Sequence, residues 1–300
     1  MNLKLFFITI FISLFFLNST HFIYAQREVE DYNYQYEKYR EAYKDFEVAR
    51  SDFVKHQTLT SQNELIEQLR RVLIQRAQVM RTYFLALKYK LNTTAGVANS
   101  EKAELGASLD DHIGWLQNNM DTIEDLPSPT LSDLFEYSKR LEKQDADYLI
   151  LGYTSLATIL SGKMRNLHQQ LLNVNSNLKS YVDSSNIKFL TNWWKEADDS
   201  ILKARNKLTN AETLINEELA GNTSNENKVV TILSEIQVIL KDSQTDLLNG
   251  SKYQKEIINE MGKSLNLELN PKQEAKQGSD SAQIKDKTAD ASISGEIKNE

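Results

Sequence analysis

Histidines and carboxylates are the side chains here best equipped for metal or acid–base chemistry, because the sequence contains no cysteine. Their spacing assembles neither. Of the four histidines, His21 falls in the leading segment expected to be removed on export, and His56, His112 and His168 stand far apart, with no His-x-x-x-His pair to place two imidazoles on one helix face. No Glu-x-x-His occurs, so the ligand set of di-iron helical bundles is unsupported. His112 lies beside Asp110 and Asp111, a combination that can contact a cation but reads more simply as an exposed acidic turn of helix. No Gly-x-Ser-x-Gly elbow, phosphate-binding glycine loop or dinucleotide fingerprint is present. The absence of cysteine excludes disulfides, thiolate nucleophiles, Cys-ligated zinc and iron–sulfur clusters. It also excludes a lipoprotein anchored through a cysteine. The expected catalytic, cofactor-binding and metal-ligating residues are therefore none.

The first twenty-five residues carry an address. One positive charge at Lys4, an apolar run from Leu5 to Leu17 and a more polar stretch ending at Ala25 have the layout of a secretory signal peptide. The run is shorter than the roughly 20 apolar residues a membrane span needs. Cleavage after Ala25 would give a chain beginning Gln26-Arg27-Glu28. Export without disulfides favours a bacterial source. The formal charge of −7 lacks a basic block, which argues against nucleic acid and against electrostatic attachment to anionic lipid.

Few residues break the chain into pieces. Only 10 glycines and 3 prolines occur, so long stretches carry no strong helix breaker. Six helical segments are expected, and they define an all-α, elongated, up-and-down antiparallel bundle. The first, about 28–56, places Tyr32, Tyr36, Tyr39, Tyr43, Phe46 and Phe53 on one seam, with Arg50 filling the vacant step. The second starts at a capping box, Ser61-x-x-Glu64, and carries Ile66, Leu69, Leu73, Met80, Phe84, Leu87 and Leu91. The third runs from about Ser100 to the Pro127–Pro129 stop. Thr130 with Asp133 caps the fourth, which reads as one rod from 131 to 183, about 80 Å at 1.5 Å per residue, with Gly152 and Gly162 as places to bend. The fifth repeats Leu190, Trp194, Ala197, Ile201, Ala204, Leu208, Ala211 and Ile215 in four–three alternation. The sixth covers about 225–265. The layout expected is a signal segment 1–25, a sub-bundle 26–150, a second 151–265 sharing the long helix, and a disordered polar tail 266–300.

Three clusters admit a binding role. The tyrosines 32, 34, 36, 39 and 43 form a ladder whose helical spacing explains all but Tyr34. Trp193 and Trp194 point about 100° apart, so Trp194 fits the core stripe and Trp193 lies on its flank. The uncharged stretch from Tyr148 to Gly162 is too short to span a bilayer and reads as a helix surrounded on all sides. Arg50 and Arg76, at seam-like positions, are expected to pair helices. Candidate partner contacts are Trp193, Tyr34, Tyr36 and Tyr39.

The leading expectation is an exported, non-enzymatic binding or scaffold protein of the cell envelope or extracellular space. Its partner would be a protein or an envelope polymer, with self-association through heptad seams as a further mode. The alternatives are a membrane-active helical protein using 148–162, and an envelope enzyme built from distant carboxylates.

Overall fold

The computed structural model describes residues 22–221 and 226–269. Of the signal segment expected at 1–25 and the disordered tail expected at 266–300, residues 22–25 and 266–269 belong to helices, while 1–21 and 270–300 lie outside the described residues. Within them the chain is an all-α bundle: α1 Phe22–His56, α2 Leu59–Thr93, α3 Asn99–Glu124, α4 Leu131–Lys143, α5 Asp145–Ser185, α6 Lys188–Thr213 with a π-helical continuation Leu214–Leu219, and α7 Glu226–Leu269.

Side-chain pairing gives the directions. Tyr32 meets Tyr83 while Asp45 meets Arg71, so α1 and α2 are antiparallel. Arg76 reaches Asp145 and the Tyr83 ring covers Gly152, so α2 and α5 run parallel in register. Gln254 reaches Leu171 and Tyr181 reaches Ser264, so α5 and α7 are parallel too, with α6 returning between them. The α1–α2 turn and the α5–α6 turn therefore sit at opposite ends of a rod, roughly 85 Å apart by helical rise.

Two apolar clusters divide the core. The first joins α1, through Tyr32, to α2, α3 and α4 around Phe84, Leu109, Leu116, Ile123 and Leu134, and takes only Tyr148, Leu151 and Ile159 from α5. The second joins Leu149, Tyr153, Leu156, Ala157 and Met164 of α5 to α6, the π segment and α7. A smaller cluster of Leu178, Val182, Leu190 and Ile257 closes the α5–α6 end. Helix α5 is thus shared along its first half, and its second half packs with α6 and α7 alone.

Four local expectations change. The rod expected from 131 to 183 is broken at Gln144, where the Gln144 N–H bonds to the Leu141 carbonyl three residues back instead of four. The charges mark this junction: Arg140 and Lys143 end α4, and Asp145 and Asp147 begin α5, each sign favourable for its helix dipole. Gly152 and Gly162 lie inside the uninterrupted α5, where they admit close neighbours. The α2 cap is Thr58, in a reciprocal pair with Ser61, so Ser61 is the third helical residue and Glu64 takes no part. On α1 the buried seam runs through Ala42 and Ala49, one residue before Tyr43 and Arg50, which turn outward. Methyl-sized side chains let α1 approach α2 closely, and a tyrosine or arginine at those places would hold it off.

Candidate functional site

The four candidate contacts do not converge. Tyr34 is 56% exposed on the outer face of α1, with the Lys38 ammonium 4.5 Å from its ring centre. Tyr36 and Tyr39 are half-buried at the edge of the first cluster. Tyr36 stacks on Tyr32 at 6.1 Å, and Tyr39 lies against Tyr43 at 6.1 Å. These two are packing residues. Trp193 sits at the other end of the rod, half-buried, with Phe189 edge-on at 4.9 Å. Phe189 itself is 45% exposed, so the α5–α6 end presents an aromatic pair to solvent. Trp194 turns inward and donates from its indole nitrogen to the Asn175 carbonyl at 2.9 Å, while Lys179 lies 4.4 Å from its ring centre.

The uncharged stretch is enclosed. Every residue from 148 to 162 is buried except Ile150 and Leu160, which are half-buried, so no polar face is needed. No helix among the described residues is long and apolar enough to cross a membrane.

The strongest electrostatic constellation is one the spacing did not single out. Arg165 of α5 donates from Nε to Glu212 Oε1 at 2.8 Å, from Nη1 to the Gly96 carbonyl at 2.8 Å and from Nη1 to Glu101 Oε2 at 3.0 Å. It thereby ties α6, the α2–α3 loop and the first turn of α3 to one point. Ser161 donates to the same Glu212 oxygen at 3.2 Å. Burial raises the Glu101 carboxyl, but the bonds from Arg165 and from the Ala98 N–H outweigh it and hold the group below its ordinary value. Above this node Gly162 backs onto Gly96 so tightly that a β-carbon on Gly96 would fall 1.8 Å from the Gly162 carbonyl oxygen. A second bridge, Arg76 to Asp145 at 2.8 and 2.7 Å, closes the upper end of the same interface, as expected for a seam arginine.

Other ionisable groups are equally occupied with structure. Burial, then the neighbouring Arg205 charge, keeps the His168 imidazole below its usual range. Burial raises the phenols of Tyr83, Tyr148 and Tyr153, so they stay neutral. Three or more metal-ligating side chains do not gather anywhere among the described residues. The depression along α1 lined by Lys44, Glu47, Val48, Ser51, Asp52 and Lys55 is an open furrow on one helix, with no opposing wall. No protein-family model matches the chain, and comparison with curated proteins and with solved structures finds no match either.

Proposed function

We propose that this protein is a non-enzymatic helical binding or scaffold module that works outside the cytoplasm, holding a partner at the end of a rod. The observation that carries the reading is the Phe189–Trp193 pair, half-exposed where α5 turns into α6. Aromatic side chains held on rigid helices offer large contact area at low entropic cost and recur as interface anchors. The arginines that reach across helices, Arg76 and Arg165, are engaged as struts, which suits a scaffold. Export rests on the signal-peptide layout of the first twenty-five residues.

The test is capture from a native extracytoplasmic extract with three baits: the wild-type chain, Phe189→Ser and Tyr34→Ser. A partner retained by wild type and Tyr34→Ser but lost by Phe189→Ser supports the reading. Equal capture by all three overturns the assignment of this end.

A further inference from the structure

The interface between α5 and the α1–α4 layer has an unusual build. No helix of α1–α4 comes backbone-to-backbone against α6, the π segment or α7 among the described residues; α5 alone touches both sides. The two sides differ in kind. Toward α6 and α7, α5 gives five residues to a continuous apolar cluster; toward α2 and α3 it gives three. The α2/α3 side is built instead from the Tyr148 ring against Phe84, His112 and Trp115, from the Gly152–Tyr83 contact and from the Gly162–Gly96 contact. An ion pair closes each end: Arg76–Asp145 above and Arg165–Glu101 below. The fifteen residues between Asp147 and Lys163 bear no charge.

We propose that this seam is a separable interface. The α1–α4 layer swings away from α5 as one body about the single-residue break at Gln144, while α5, α6 and α7 stay together and the seam-facing side of the uncharged stretch meets water. Four observations converge on it. Apart from Tyr148, Leu151 and Ile159, every buried residue of the first cluster comes from α1–α4 or the α2–α3 loop, so the layer supplies most of its own core. Both clasps are partly solvated ion pairs, which water and salt compete with, rather than sealed apolar contacts. The Tyr148 and Ser155 hydroxyls are buried without a hydrogen-bond partner, so the closed state carries a desolvation cost that opening relieves. Ser155 stands one heptad after Tyr148 and one before Gly162, on the same face of α5. Gln144 already lacks the regular helical bond, so a rotation there breaks little. This device stands independently of the binding role proposed above.

The absence of cysteine makes the test clean. In the full chain, Ser155→Cys puts a lone thiol in the seam, and Ala204→Cys puts one in the fully buried α6–α7 interface as reference. Ser155 has no bond to lose; Thr158→Cys, one turn on, is the second reporter if that variant does not fold. Thiol labelling is followed against urea, with global unfolding read by circular dichroism. The expected result is that the seam thiol at position 155 labels with a urea dependence well below that of global unfolding, whereas the reference thiol at position 204 follows it. Adding Glu101→Gln and Asp145→Asn, which leave the Arg165–Glu212 bridge to α6 in place, speeds labelling of the seam thiol about tenfold or more relative to the reference, the change expected when a charge-assisted bridge leaves the closed state. Identical urea dependence for the two thiols, or equal acceleration of both, overturns the proposal.

Discussion

At the level of single residues, the glycines show what fixes the centre of this molecule. Gly96 and Gly162 touch with no room for a methyl group, whereas a β-carbon on Gly114 meets nothing within 4 Å. Gly96→Ala should therefore cost about 1–3 kcal/mol through overpacking. Gly114→Ala, in the middle of α3, should add about 0.5–1 kcal/mol by removing backbone freedom from the unfolded chain. Urea midpoints of the two variants check both signs. His168 makes a pH prediction. Its folded-state affinity for a proton is depressed by burial and by Arg205, while in the unfolded chain it titrates near 6.5. Its contribution is fully present above that value and is lost as the pH falls below 6.5 toward the depressed folded value. Replacing it with leucine should flatten the stability–pH curve in that window, which urea melts between about pH 7 and 5 measure. Arg76 was legible as a seam arginine able to reach a carboxylate across a helix interface, whereas Arg50, read the same way, extends outward and pairs with Glu47 of its own helix. Arg165 was not, since its partners Glu101 and Glu212 lie 64 and 47 positions away. Nothing local marks them.

Among the elements, α6 and α7 show why periodicity was a good guide. Leu190, Ala197, Ala204 and Ala211 recur every seventh residue on α6, and Ile236, Ser243, Gly250 and Ile257 do so on α7; all are buried. Alanine, serine and glycine at the centre bring the axes close enough for Ser243 Oγ to donate to the Ala204 carbonyl at 2.9 Å. Ala204→Leu should wedge these helices apart and cost about 1–3 kcal/mol, with a matching fall in the thermal midpoint. The α1 seam was read correctly at Tyr32, Tyr36, Tyr39 and Phe46, which pack on the first cluster, but not at Tyr43 and Arg50. The buried places beside those two belong to Ala42 and Ala49, which hydrophobicity alone does not flag. The break at Gln144 was hidden for a related reason: Leu134, Tyr137, Leu141 and Tyr148 keep helical spacing straight through it. Only the change from basic to acidic residues betrays it.

The whole molecule is organised around α5. Its uncharged stretch is explained by position, because a helix covered by α2 and α3 on one side and by α6 and α7 on the other has no use for a charged face. The all-α architecture was readable from breaker scarcity and from the stripes. How the layers overlap was not, because a heptad specifies that a helix has a neighbour without saying which one. The α1–α2 and α5–α6 turns are the two ends of one rod, with the aromatic pair at the second. Paired dyes on cysteines placed at the exposed positions Lys55 and Lys188 measure that separation directly, since no native thiol competes. Resonance energy transfer should report a distance on the order of 85 Å, hence weak transfer, as the helical rise requires. Strong transfer, placing the two turns side by side, would contradict it.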